Sequence, residues 1–386
     1  MSNGACNQTE HSDDRDTILF HTPPLLQSTE DAAFDCLRLL RSRRVGPTTY
    51  HRLMREHGSA TAALDALPDI AAAAGVADYT ICPEGVIAAE LKAGKANGAT
   101  LIVKGQPAYP AALNDIDDAP PILWAIGDLD LLHRPMISLV GARNASSLGT
   151  RMAKKLAADL GDAGLVVVSG MARGIDTAAH LAALSSGTIA VFGGGVDVTY
   201  PPQNGSLVQD IAKQGLRLSE MPMGVQPQAR HFPARNRIIS GLGRATVVIE
   251  AASKSGSLIT ARNALGQSRE VLAVPGHPFD ARSAGCNMLI RDGATMVRNA
   301  EDVIEAIGQI ATPEPPADPA PKAQPLRKIA KLHDQVLSRL GPSPVAEDQL
   351  IRDIGAAPTV VAPVIVSLEL DGRITRQRGG LLTLAN

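Results

Sequence analysis

The centre of this 386-residue chain is predicted to fold as an α/β domain, a doubly wound parallel sheet, set between an N-terminal helical domain and a C-terminal domain of three helices and a hairpin. Three observations predict it. Between residues 136 and 310, seven short apolar runs alternate with amphipathic segments, the pattern of parallel strands covered on both faces by helices. Before residue 97 the apolar residues recur at helical spacing only, and after residue 326 three helical segments precede two strand-like runs. Loops rich in Gly and cations follow several of the central runs.

Composition sets the bounds. With 45% apolar and 20% charged residues, the chain can bury two or three cores of ordinary size. It shows neither a signal peptide at its start nor an apolar run long enough to span a bilayer, so a cytoplasmic, non-membrane protein is expected. Cys6, Cys36, Cys82 and Cys286 stand far apart without CxxC spacing, which predicts reduced thiols and no metal site. No cofactor is predicted. The formal charge of −2 conceals an asymmetry: residues 136–300 hold 17 Lys and Arg against 10 Asp and Glu, a net of +7, so the remainder carries −9. A central domain meeting a polyanion explains that split, and chance scatter over the surface is the alternative.

In chain order, residues 1–16 are polar and aperiodic and read as a disordered tail. A helical domain follows over 17–97, its periodicity broken at Gly46-Pro47 and Gly58-Ser59. Within it, VGPTTYHRLMREHGS resembles a helix-hairpin-helix unit, whose helix N-terminus can offer amides to a phosphate; a bundle serving as spacer or partner surface explains it equally. The central domain spans 98–310. It begins with a Pro-marked stretch containing the single tryptophan, Trp124, expected to pack on the sheet, and continues as a Rossmann-like βα alternation. Residues 311–325, ATPEPPADPAPKAQP, are a Pro/Ala linker. The last domain, 326–386, has helices near 334–340, 346–354 and 357–371 and then ITRQRGGLLTL, the winged-helix order. Arg373, Arg376 and Arg378 mark its wing, placed where they could touch DNA. Its recognition helix is apolar, without side chains to read base edges, so a protein-contact or vestigial role is expected.

In open parallel sheets, ligands bind beyond the carboxyl ends of the strands. VGARNASSLG offers Gly141 for close backbone approach, Arg143 as cation, Ser146 or Ser147 as N-cap, and Gly149. It reads either as a phosphate site or as a plain strand–turn–helix cap. SGMARGIDTAAH contributes Gly170, Arg173 and Gly174, and GGGVDVTYP lets backbone lie against a ligand or a neighbouring loop. His180 reads as a packed histidine, with no nucleophile beside it and no GxSxG elbow. Just after Arg230, HFPARNRIISG supplies Phe232 as a face for one base, Arg235 and Arg237 as cations, and Asn236 as helix cap or as base or phosphate ligand. Surface arginines answering Glu220 and Glu250 are the alternative. ASKSGSLITARNA adds Lys254 beside a helix start. The low aromatic content, 3%, argues against a platform stacking many bases.

These motifs, in order YPxxL with PPxLWxxG, VGARxxSxxG, SGxARGID, GTIAVxGGGxDxxYP, SExPxG, FPARNRIISGL, SGSLITA and REVLAVPG, span residues 109–294 and resemble the DNA-processing protein A family (DprA, also called Smf). The resemblance implies a SAM-like fold for the N-terminal helices and a non-enzymatic protein. Such a protein binds and protects incoming single-stranded DNA in natural transformation and loads the RecA recombinase on it, displacing or bypassing single-strand binding protein. It implies a homodimer formed through the Rossmann domain. Carried over by motif, Gly141, Arg143, Ser146 and Gly149 line the phosphate pocket, with Gly170 and Lys254 nearby and Phe232, Arg235, Asn236 and Arg237 completing it. Where many relatives have a basic residue after the asparagine of YPxxN, this chain has Gly205 after Asn204, and Arg230 is expected to compensate. The alternative is a nucleotide phosphoribohydrolase-type enzyme with Glu220 and Glu250 as its acids, although its PGGxGTxxE signature is missing.

Overall fold

The computed structural model describes residues 29–308, 326–341, 344–356, 358–377 and 381–385. The expected tail over 1–16, the linker over 311–325 and Arg378 lie outside them. The described residues fall into two units, one within Met1–Ile310 and one within Ala311–Asn386.

The first unit begins with four helices: α1 (Thr29–Arg41), α2 (Pro47–His57), α3 (Ala60–Ala73) and α4 (Glu84–Ala96). Local chemistry sets their ends. Proline at the first position of α2 loses no helical hydrogen bond there, Gly58 closes the helix in the left-handed region at φ 77°, and the Ser59 hydroxyl accepts from the Ala62 N–H to open α3. Leu37, Leu39, Leu53, Leu64 and Ile87 form their core. Trp124 joins that core from the neighbouring sheet, and a Cβ on Gly94 of α4 would overlap its ring.

A nine-stranded sheet follows. Its strands are β1 (Thr100–Val103), β2 (Ile122–Gly127), β3 (Met136–Gly141), β4 (Val166–Ser169), β5 (Thr188–Val191), β6 (Leu216–Ser219), β7 (Ala245–Ile249), β8 (Glu270–Ala273) and β9 (Thr295–Met296). They lie in the order β1-β2-β6-β5-β4-β3-β7-β8-β9. All seven apolar runs are parallel strands, while β1 and β2 extend the sheet antiparallel beyond β6 and carry Trp124. The connecting helices are α5 (Ser147–Asp162), α6 (Ile175–Ala183), α7 (Gly205–Gln214), α8 (His231–Leu242), α9 (Ser257–Gly266), α10 (Ala284–Arg291) and α11 (Ala300–Ile307).

Side chains alternate across each strand, and both faces are covered. Ile137 and Leu139 of β3 pack with Leu156 and Leu160 of α5 and Val303 of α11. Val140, on the other face, packs with Ile238 and Ile239 of α8 and Leu258 of α9. Full burial of each such side chain contributes about 1.5–3 kcal/mol, which is why the strands read as continuous apolar runs.

The second unit holds α12 (Leu326–Arg339), β10 (Val345–Ala346), α13 (Glu347–Ile354), α14 (Pro358–Leu370), β11 (Ile374–Gln377) and β12 (Leu381–Leu384), with a small antiparallel sheet in the order β10-β12-β11. Val336, Leu350, Ile365, Leu368 and Leu382 form its core. This is the winged-helix arrangement. Arg376 is held by Glu347 at 2.5 Å and Glu369 at 3.3 Å, both within the unit.

Candidate functional site

The chain lays down β3 to β6 in one direction and returns to place β7 on the other side of β3. Strand order therefore reverses between β3 and β7, the place where loops diverge and leave a crevice. Gly141 ends β3 opposite Ile249 of β7. A Cβ there would overlap the Ile249 carbonyl, so glycine lets the two strand ends stay paired.

Two adjoining cavities open at these strand ends, the larger over this reversal and the smaller over the ends of β4 and β5. One, of about 250 Å³, is bounded by Gly170, Arg173, Gly193, Gly194 and Tyr200; the other, of about 730 Å³, by Gly141, Asn144, Asn236, Lys254 and Arg282. Arg143, Phe232 and Arg235 belong to both and form the wall between them. The guanidinium carbons of Arg143 and Arg235 lie 5.3 and 5.9 Å from the centre of the Phe232 ring, and the Tyr200 ring lies 5.6 Å from it. Both distances suit cation–π contacts.

Arg143 and Lys254 are exposed, whereas Arg235 is 5% exposed. Its Nη1 donates to the carbonyl of Gly170 at 2.6 Å and to that of Val191, at the ends of β4 and β5. A Cβ on Gly170 would collide with this guanidinium. The Arg235 Nε–H finds no protein partner and remains a buried donor. Burial pulls the Arg235 pKa down to about 10, partly offset by the nearby Asp176 carboxylate, so the side chain is cationic at neutral pH. Asp176 accepts from the amides of Gly170 at 3.1 Å and Ala172 at 3.2 Å, and burial pushes its carboxyl up, opposed by Arg235.

Five expectations need correction. Asn236 cannot cap a helix, because α8 starts at His231 and Asn236 sits within it, where its side chain lines the larger cavity. Arg237 follows Arg235 by two residues, about 200° around the helix. It therefore leaves the cleft and pairs with Glu220 at 2.5 Å and Asp118 at 3.4 Å. Ser146 does cap α5, accepting from the Gly149 N–H at 3.0 Å, but the anion at this helix start belongs to the protein: Glu250 accepts from the Ser146 N–H at 2.8 Å and from its hydroxyl. Ser146 and Gly149 thus line a separate groove with Glu250 rather than the cleft. Arg230 is exposed at the start of α8, with Nε 3.4 Å from Nε2 of His231, and bounds neither cavity.

His180 is fully buried with Nδ1 2.7 Å from the Thr188 hydroxyl, and burial lowers its pKa to about 3; it is a packed histidine. Arg173, expected in the loop after β4, bounds the smaller cavity, whereas two cleft residues were not picked out from the sequence. Tyr200 and Asp176 carried no local signal, since each acquires its place through residues distant in the chain. Among the described residues, no group of three His, Cys, Asp or Glu side chains is placed to hold a metal, and no helix is long and apolar enough to cross a membrane.

Comparison with known proteins agrees in all three segments. The family model of the DNA recombination-mediator protein A matches residues 100–308, that of a DprA-like N-terminal HHH domain residues 30–93, and that of a DprA winged helix domain residues 313–380. The DNA processing protein DprA of Streptococcus pneumoniae is 48% identical over 198 residues, 51% of this chain and 70% of that protein. The X-ray structure of that organism's DNA processing protein A matches with a TM-score of 0.60 and 37% identity, over 70% of this chain and 96% of the solved one. A structure of DNA processing protein A from Helicobacter pylori, described for its single-stranded DNA binding mode, matches with a TM-score of 0.50 and 30% identity, over 54% of this chain and 95% of the solved one.

Proposed function

Because the chain belongs to the DNA recombination-mediator protein A family, we propose that it binds single-stranded DNA in the cleft between β3 and β7 and presents the strand to a recombinase. The observation that carries this reading is the wall shared by the two cavities. There an aromatic ring lies 5.3 and 5.9 Å from two guanidiniums, one exposed and one buried with an unmet donor. Arg143, Arg173 and Lys254 are exposed cations suited to backbone phosphates, and Phe232, half-buried on the wall of both cavities, is an aromatic side chain for an unpaired base to meet. A duplex keeps its bases stacked and paired, so this geometry favours a single strand.

The chemistry asks for binding and release rather than bond cleavage. Of the two acids an alternative glycosidic hydrolase would use, Glu220 is engaged by Arg237 and Glu250 by the start of α5. Loading of RecA, exclusion of single-strand binding protein, a role in natural transformation and pairing of two copies through the Rossmann domain complete the reading. Each extends the family resemblance to this chain.

Fluorescence anisotropy of a labelled oligo-dT, over a salt series and with duplex competitor, tests it. Arg143→Ala with Lys254→Ala is expected to weaken binding about a hundredfold, each lost phosphate contact reducing the log–log salt slope by about 0.7. Unchanged affinity in that double variant would remove the cleft from consideration, and release of free base from nucleoside monophosphates would turn the assignment to the enzyme.

A further inference from the structure

Glu250 answers to none of the roles above. It follows β7 with φ 56°, a left-handed conformation that glycine normally supplies, and its carboxylate reaches across to the start of α5, 104 residues earlier in sequence. Holding a non-glycine residue there costs free energy, and the contacts of its carboxylate offset that cost. Both carboxylate oxygens are used: one takes the Ser146 N–H at 2.8 Å, the other the Ser146 hydroxyl, whose oxygen in turn accepts the Gly149 N–H at 3.0 Å. The space is made for it, because a Cβ on Gly149 would overlap the carboxyl group.

Two consequences follow. First, the Glu250 carboxylate already sits at the positive dipole end of α5, so an incoming phosphate meets the side-chain cations of the cleft rather than this helix. Second, Ser146 closes the short loop that leaves β3, and Arg143 stands in that loop three residues before it. On its other side, the loop carbonyls of Ala142 and Arg143 lie so close to Gly174 that a Cβ there would collide with them. The loop is pinned at both ends. Arg143 is exposed, with its guanidinium over the ring of Phe232, so its orientation depends on where the loop holds its backbone.

We propose that Glu250 is the positioning residue for Arg143: its carboxylate, seated on Ser146 and Gly149, fixes the loop so that the guanidinium stands over Phe232 when the strand arrives. The inference rests on the reading of the cleft as the single-strand site. It also reassigns Ser146 and Gly149 from ligand contact to loop support.

A double-mutant cycle on the full chain tests it, using oligo-dT anisotropy across a salt series with circular dichroism to verify folding. Arg143→Ala is expected to weaken binding about tenfold and lower the salt slope by about 0.7, one phosphate's worth. Glu250→Ala is expected to weaken it about fivefold with a similar loss of slope. Glu250→Gln, whose amide oxygen still accepts the Ser146 N–H, should recover most of the affinity. Glu250→Ala added to Arg143→Ala should change nothing further, since the residue it positions is gone. Gly149→Ala displaces the carboxyl by another route and should copy Glu250→Ala, which keeps the test available should Glu250→Ala fold poorly.

Fully additive losses, an unchanged slope in Glu250→Ala, or binding equal to or tighter than wild type would each overturn the proposal. Wild-type binding by Arg143→Ala would take down the cleft reading and this inference together. A weakened Arg143→Ala beside an unaffected Glu250→Ala would sink only the inference.

Discussion

Arg235 and Arg237 look alike in the sequence, two cations flanking an asparagine, and the fold gives them opposite employment. Two residues along a helix is more than half a turn, so one guanidinium meets the carbonyls at the ends of β4 and β5 while the other meets Glu220. Arg235, expected as a phosphate ligand, is a buried cation in the wall between the cavities, while Arg143, Arg173 and Lys254 are exposed. Buried titratable residues show the same dependence on setting. His180 stays neutral in the fold down to about pH 3, well below its ordinary 6.5. The unfolded imidazole takes up a proton below about pH 6.5 and the native one does not, so the native state loses stability as pH falls through that window. The loss is about 1.4 kcal/mol per pH unit. Urea unfolding at pH 6.5 and 4 should therefore show a drop that His180→Gln reduces by roughly 3 kcal/mol; an identical drop in the variant would mean that other groups carry the acid sensitivity.

At the scale of elements, the parallel strands were legible because burial on both faces leaves an unbroken apolar run, as in LVVVSGM and ATVVIEA. Helix α8 was misread at its start. A helix capped at Asn236 would start there, yet α8 starts at His231, and a proline in the first turn of a helix, at its third residue here, breaks no helical hydrogen bond. The filling of the α5 N-terminus by Glu250 was not legible, since it depends on β3 and β7 being neighbours, a pairing that local pattern does not specify. The winged-helix elements were legible from order, and the structure adds a reason to doubt their part in gripping DNA. Arg376, an obvious wing cation, is engaged by Glu347 and Glu369. Arg376→Ala is accordingly expected to leave oligo-dT affinity within about twofold, because a cation already paired within its own unit has little charge to offer a phosphate. An affinity loss of tenfold would place the wing on the DNA path.

Across the first unit as a whole, helical bundle and sheet are joined by one buried polar chain. Arg41 of α1 holds Glu90 of α4 through two hydrogen bonds of 3.0 and 2.8 Å; Glu90 also accepts the indole N–H of Trp124 at 2.9 Å from β2, and Arg41 reaches the carbonyl of Glu220 at 3.2 Å. Glu220 then holds Arg237 on α8, the helix that carries Phe232 and Arg235. Composition hinted at a charge difference between these regions but not at this joint, whose members come from five separate places in the chain. The Glu90 side chain is 6% exposed and that of Arg41 15%, so removing the carboxylate strands a largely desolvated guanidinium and an indole donor. Glu90→Ala is expected to cost about 3–5 kcal/mol for that reason, whereas Glu90→Gln, able to accept from the same donors, should cost less. Trp124 is the only tryptophan, so its fluorescence reads the joint directly while far-UV circular dichroism reads the whole chain's helix and sheet. If bundle and sheet unfold as one body, both signals attributable to this unit move to lower denaturant together in Glu90→Ala. A tryptophan transition that shifts while the main dichroism transition stays in place would mean that the bundle detaches alone, and that α8 keeps its position without it.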